Sequence, residues 1–536
     1  MLKMIVRSRP DPSSSKVYLV GGGIASMAAA AFLIRDGDFL GHNITIFEEL
    51  ATPGGSLDGS GSAKNGYVLR GGRMIESKYL CTFDLFSSIP TLDDSQTVTQ
   101  EIFAWNETMK TSSKSRLVRD GRRQIAPKFA LSESHILTIE RLALEPESML
   151  GGTSIADQFD RAFFKTDFWV MWCTTFAFQP WHSAVEFKRY LLRFTHMVDG
   201  FSRLNGIMRT VYNQYDSMVR PLCKWLDAHG VVFEMNTEVT DISFIGEAGG
   251  WSADRITYTR DDIAGDFAIT SGDIVLVTLG SMTEASALGD MHRAPGLLGK
   301  CDGGAWTLWE RLAQCRPEFG NPAVFTDHVD QSKWISFTTT LHDPELLHLV
   351  RDFTGDAPGE GGLITFPESN WLVSIVIPHQ PHFIGQRDDV SVFWGYGLSV
   401  DAPGNFVAKP MSACTGEEIM TEVLGHLQMR AEADRILHDC ICIPCMMPFV
   451  TSQFLVREEG DRPEVRPKGY DNLAFIGQYC ELPDDVVFTV EYSIRSAQAA
   501  VYSLLESPRK PPAVYKGQFN PRVLLSAFRA LHDIGA

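Results

Sequence analysis

A chain of 536 residues, 44% of them apolar, exceeds what one hydrophobic core usually serves, so a globular protein of two or three structural units is expected. Its 48 basic and 66 acidic residues leave a net charge of −18, which argues against a nucleic-acid surface and sets up mild repulsion from anionic membranes. The ten cysteines show no framework spacing, Met1 to Ser15 lacks a signal-peptide core, and no run of about 18 uncharged apolar residues occurs, so a reducing cytoplasm and no membrane span are expected.

The first predicted element is a strand over Val17 to Val20, followed by the turn Gly21-Gly22-Gly23 and a helix from about Ile24. Backbone at Gly21 and Gly23 can approach a pyrophosphate there, and the helix aims its first amides, at Ile24, Ala25 and Ser26, and its positive dipole end at that anion. Ser26 stands where the third glycine of Gly-x-Gly-x-x-Gly is usual, and it is small enough for close helix-to-strand packing. A second strand, Asn43 to Phe47, closes on Glu48 and Glu49, and Glu48 has the spacing of an acid that takes a ribose hydroxyl pair. These elements predict an α/β, Rossmann-like dinucleotide domain. They leave open whether NAD or FAD is bound.

From about Ser87 to Cys223 the pattern is helical, with a dense aromatic stretch at Phe163, Phe164, Phe168, Trp169, Trp172, Phe176 and Phe178, then Phe187-Lys-Arg-Tyr-Leu-Leu-Arg-Phe194. Such density suits a core or the wall of an apolar tunnel. Strand runs ending in glycine return at Gly272 to Gly280 and Asn472 to Gly477, and Val231 to Thr240 adds a strand and turn. A shared sheet would make the nucleotide domain discontinuous, over 16–86, 224–304 and 448–506, with α+β inserts at 87–223 and 305–447 forming a substrate domain. Cys440, Cys442 and Cys445 alternate with Ile441, Ile443 and Pro444 and read as buried small residues in a strand rather than a metal site. After a helix at Ser496 to Leu505, the proline-rich spacer Ser507 to Ala513 leads into a helical tail within 507–536. There Val523, Leu524, Leu525, Phe528 and Leu531 recur at helical spacing beside Arg522 and Arg529, a face that caps the body or touches lipid.

Arg70-Gly-Gly-Arg-Met-Ile-Glu76, after Gly54-Gly55-Ser56-Leu57-Asp58-Gly59, resembles the signature loop of the oleate hydratases, the fatty acid hydratase flavoproteins also called myosin cross-reactive antigens. The resemblance extends through Phe187 to Tyr190, Tyr212-Asn-Gln-Tyr-Asp-Ser217, His379-Gln-Pro-His-Phe383 and Phe475-Ile-Gly-Gln-Tyr479. It implies addition of water to the cis-9 double bond of an unsaturated fatty acid such as oleate, giving 10-hydroxystearate. FAD would be bound without net redox change and be most effective reduced. Such flavoproteins are built on two dinucleotide-binding domains.

By the same resemblance Tyr190 is the proton donor, Gln214 lines the reacting part of the tunnel, and His382 with Gln380 binds the substrate carboxylate. FAD contacts are implied at Ser56, Leu57, Arg73, Val239, Gly280, Ser281 and Gly477. The chain departs from the family where it matters chemically. The glutamate credited with activating water is Met74 here, which can accept no proton, and Glu76 is the obvious substitute. Val376 and Pro378 replace a threonine and an asparagine that add donors to the carboxylate. The competing readings are a redox FAD-dependent lipid oxidase or desaturase, and a fatty-acid-binding flavoprotein with weakened catalysis. Family dimers use an N-terminal extension, and the short segment before Lys16 favours a monomer, with a homodimer as runner-up.

Overall fold

The computed structural model describes residues 10–72, 74–247, 250–270 and 272–534. Five strands, Val17–Val20 (β1), Ile44–Phe47 (β2), Val232–Glu234 (β3), Ile274–Thr278 (β4) and Leu473–Ile476 (β5), form a parallel sheet in the order β5-β4-β1-β2-β3. Val17 sits opposite both Ile44 and Ile274. Uninterrupted apolar runs in β1, β4 and β5 are what parallel strands covered on both faces require. The strands come from three separated stretches of chain, as the recurring strand-to-glycine ends predict.

Five helices frame the site: Ile24–Gly37 (α1), Asp167–Phe176 (α2), Ala184–Arg193 (α3), Val490–Leu504 (α4) and Pro521–Leu531 (α5). Helix α1 packs against α4, with the rings of Phe32 and Tyr502 6.5 Å apart, and its buried run Ala28 to Ala31 keeps the helix slim. Ser26 Oγ lies 3.2 Å from Thr278 Oγ1 on β4, so the residue in the third-glycine place serves helix-to-strand packing.

An eight-stranded, mostly antiparallel sheet carries the second layer, in the order 287–288, 440–447, 334–341, 391–397, 373–376, 364–365, 117–119 and 122–124. Cys440, Cys442 and Cys445 lie buried along its second strand. The pair Ala287 and Leu288, which the sequence reading grouped with the nucleotide unit, joins this sheet opposite Met446 and Cys445. Thr340 and Thr338 accept hydrogen bonds from the amides of Tyr67 and Leu69 at 2.8 and 2.9 Å. That clamp fixes the strand Gly66–Leu69 just ahead of Gly71 and Gly72, which line both of the cavities described below. A three-stranded antiparallel sheet, 237–247, 250–260 and 263–268, flanks the parallel one. Among the described residues no helix is long and apolar enough to cross a membrane.

Candidate active site

At the carboxyl ends of the parallel strands lies a cavity of about 320 Å³ lined by Gly21 to Ala25, Glu48, Glu49, Ser56, Val239, Gly280, Ser281 and Gly477. The turn is built for backbone approach. Gly21 and Gly54 have φ of 91° and 122°, Gly54 donates to the Gly22 carbonyl at 3.0 Å, and a Cβ on Gly22 would stand 2.7 Å from Glu48 Oε2. No side chain caps the N-terminus of α1, so its first amides are presented to the cavity. These features fit the pyrophosphate of a dinucleotide.

Glu48 closes back on the turn. Its carboxylate accepts from the amides of Gly22 and Leu50 at 2.7 and 2.8 Å, while Glu49 accepts from Gly304 at 3.0 Å. Glu238 and Glu284 share the wall. Burial, aided by Glu49, pushes the Glu284 carboxyl up to about 8. Arg70 pins the neighbouring loop by bonding Asp58 and the carbonyls of Gly55 and Thr283. Leu57 lies outside this cavity and lines the small pocket described below, and the Arg73 assignment lies outside the described residues.

A larger cavity of about 610 Å³ runs between α2, α3, the segment 195–203, the large sheet and the tail helix α5. Its wall resolves the ambiguity of the aromatic stretch, which does both jobs. Phe168, Trp172 and Phe176 face the cavity, whereas Phe163, Trp169 and Phe178 pack behind it. Leu524, Leu525, Ala527, Phe528 and Leu531 close one side, with Leu524, Leu525 and Phe528 each about half exposed. The tail therefore docks on the body as a lid, held by Asp533, whose carboxylate accepts from the Phe129 amide at 3.0 Å, and by Arg495, which bonds the Pro512 carbonyl of the spacer.

Tyr190 and Glu76 both reach this cavity. The Tyr190 ring sits 5.0 Å from those of Phe176 and Phe178, and its hydroxyl donates to the Val487 carbonyl at 2.6 Å. Burial, reinforced by Tyr79, Glu186 and Asp485, pushes the phenol well above its ordinary value, so the proton stays in place. Glu76 accepts from Arg193 at 2.9 Å and from the Lys78 amide at 2.6 Å, with His196 Nε2 at 3.4 Å. Burial alone would raise its pKa, but the His196 hydrogen bond and the Arg193 charge prevail and hold it below the usual carboxylate value.

Beside Met74 lies a second, smaller pocket of about 60 Å³, the two sharing Gly71, Gly72, Met74 and Trp394 in their walls. His382, Gln214, Val376 and Pro378 line this pocket, as do Arg209, His379 and Asn213. Burial, then Arg209 and His379, pulls His382 down to about 3, so its ring is neutral. Gln380 is not brought to the pocket. Its amide donates to the carbonyls of Pro378 and Val392 and accepts from the Val392 amide and from Gln386, which satisfies it structurally. The two adjoining cavities thus hold Tyr190 and Glu76 on one side of Met74 and Gln214, His382 and Val376 on the other, and leave Gln380 outside.

Sequence reasoning missed Arg193, Arg209, Glu284 and Arg70. Arg193 follows Tyr190 by three residues on α3, one helical turn, which was a usable signal. What the spacing could not show is that Glu186, Arg189 and Arg193 are buried and ion-paired with charges from distant segments, with Lys188 bonding the Glu145 carbonyl.

Residues 14–502 match the MCRA family. The chain is 40% identical over 539 residues to the oleate hydratase of Streptococcus pyogenes serotype M49 (strain NZ131), covering 98% of this chain and 91% of that protein. It is 32% identical over 573 residues to the linoleate hydratase of Lactiplantibacillus plantarum, covering 97% and 99%. Among solved structures, the cyclohexylamine oxidase from Brevibacterium oxydans IH-35A aligns with a TM-score of 0.54 at 13% identity, over 92% of this chain and 99% of that one. A putrescine oxidase aligns at 0.51 and 13%, over 92% and 100%. At that identity the likeness is one of fold.

Proposed function

The chain belongs to the MCRA family, and from that premise we propose that it adds water across the cis-9 double bond of an unsaturated fatty acid such as oleate, giving 10-hydroxystearate. The observation that carries this reading is the adjacency of the large apolar cavity, with Tyr190 and Glu76 in its wall, and the small pocket lined by His382, the two sharing Met74. An apolar chain fits the larger chamber and a polar head the smaller.

FAD is the dinucleotide proposed for the site at α1, bound without net redox change and most effective when reduced; it would supply shape and electrostatic field beside the reacting alkene. Gly21, Gly23, Ile24 and Ala25 would hold its pyrophosphate, and Glu48 or Glu49 a ribose. The remaining chemistry belongs to the side chains. An isolated alkene is a feeble base, so a positioned acid is needed in a dry cavity. Tyr190 exchanges its bond to Val487 for the substrate and delivers its proton to C9 as the π bond breaks. The water oxygen bonds to C10 and sheds a proton that restores the phenol, so atoms and charge balance. Arg193, whose charge lowers the phenol's pKa, offsets the charge left on its oxygen. Gln214, in the wall of the small pocket, would orient the water, and Met74 would supply only shape.

Incubation of the flavin-loaded protein with oleate in oxygen-18 water, oxidised and reduced in parallel, tests the proposal by mass spectrometry. Labelled 10-hydroxystearate without stoichiometric flavin consumption, lost in Tyr190→Phe, is expected. Product without label would overturn it.

A further inference from the structure

We propose that Arg209 is the cation that receives the substrate carboxylate in the small pocket beside Met74. The inference deepens the fatty acid reading above and rests on it.

Arg209 lines that pocket beside His382, His379 and Asn213. Its backbone is fixed on both sides by Asn106, whose carbonyl oxygen accepts from the Arg209 amide at 3.0 Å and whose amide donates to the Arg209 carbonyl at 2.7 Å. The guanidinium donates one bond, to the Gly362 carbonyl at 3.0 Å. Its Nε is shut away from solvent without a hydrogen-bond partner. Among the described residues it pairs with no carboxylate, and Asp58, in the same wall, is engaged by Arg70 at 2.8 Å.

A cation taken out of water without a counter-ion is costly, and proteins normally pair it. Here burial has pulled Arg209 down to about 10, which still leaves it charged at neutral pH. The missing partner is therefore an anion that arrives with the ligand. A planar carboxylate matches a guanidinium fork, and the pocket is small enough for a head group and adjoins the apolar chamber at Met74. The neutral His382 can donate one hydrogen bond to that carboxylate but brings no charge to it while Arg209 stands beside it. Arg209 also answers the chemical loss at Val376 and Pro378, which offer the head group no side-chain donor.

The test measures binding of oleate, oleamide and oleyl alcohol to the flavin-loaded full chain, by tryptophan fluorescence or calorimetry, for wild type, Arg209→Gln and Arg209→Lys. Near-ultraviolet circular dichroism checks the fold. Arg209→Gln should weaken oleate roughly ten- to a hundredfold, the worth of a charge-assisted bond, leave oleyl alcohol within about twofold, and be partly rescued by Lys. KM for oleate should rise more than kcat falls. Should Arg209→Gln not fold, the wild type alone decides, since a fixed cation requires oleate to bind at least about tenfold tighter than oleamide. Oleate binding that is indifferent to Arg209, or no tighter than oleamide, overturns the proposal and leaves the fatty acid reading intact. Absence of binding by any of the three lipids overturns both.

Discussion

The carboxylate of Glu76 and the guanidinium of Arg193 meet at 2.9 Å in the wall of the apolar cavity, both side chains almost wholly buried. Arg193 continues to Asp485 at 3.4 Å, Asp485 to Arg495 at 2.7 Å, and Arg495 to Glu491 at 2.7 Å, so the pair is one end of a buried chain of alternating charge. Such a chain keeps Glu76 ionised and already engaged, which makes it a holder of Arg193 before it is a base for water.

Glu76→Gln should therefore lower stability as well as activity. Removing one partner of a buried pair typically costs about 3–5 kcal/mol, and here the remaining Asp485 brings the expectation toward about 2–3 kcal/mol. Because the folded pKa of Glu76 is depressed, its contribution is complete above the ordinary carboxylate value and is lost as pH falls through the lowered one. Thermal unfolding of the wild type should weaken more steeply below about pH 4.5 than that of Glu76→Gln. Parallel slopes would refute this role.

Tyr190→Phe should lower kcat by about 10²–10⁴, the usual worth of a positioned general acid, while oleate affinity stays within about threefold. Loss of the bond to Val487 should cost about 1 kcal/mol. Since burial holds the phenol well above its ordinary pKa, the wild-type rate should show no alkaline limb from this group up to about pH 10. A stopped-flow or product-yield pH profile checks it.

The nucleotide turn, the aromatic stretch and the lid face of the tail were legible because each is a local pattern. Val17 to Glu48 is one strand-turn-helix-strand unit, and the apolar spacing of Leu524, Leu525 and Phe528 is visible in eight residues. Arg209 and Glu284 were not legible, because their meaning lies in what surrounds them. An arginine lacking an acid, or a glutamate facing Glu49 and Glu238, is defined by contacts between distant stretches of chain, as between Arg209 and Gly362, 153 residues apart. Gln380 failed for the converse reason: its motif predicted a ligand contact, and the local fold consumed all its hydrogen-bonding capacity.

Met74→Glu restores a carboxylate at the neck between the two chambers, where the family carries one. If water reaches the alkene at that neck, the variant should raise kcat by about tenfold or more, within the range of general base catalysis, with KM little changed. An unchanged kcat would place the attacking water elsewhere in the cavity.

Glu284→Gln should stabilise the flavin-free protein at alkaline pH. The folded carboxyl titrates at about 8 and the unfolded one near the ordinary value, so the folded state holds a proton that the unfolded chain releases between them. Wild-type stability must therefore fall as pH rises from about 4.5 to about 8 and level off above, and each unit of displaced pKa is worth about 1.4 kcal/mol. Glutamine keeps an oxygen for the Ala305 amide and removes the charge that opposes Glu49 and Glu238. The variant should match wild type near pH 4.5 and exceed it by on the order of 2–4 kcal/mol at pH 8.5, read from denaturant unfolding. Equal stability at both pH values would mean that Glu284 ionises freely, and that the crowding of carboxylates in the nucleotide cavity is relieved by solvent.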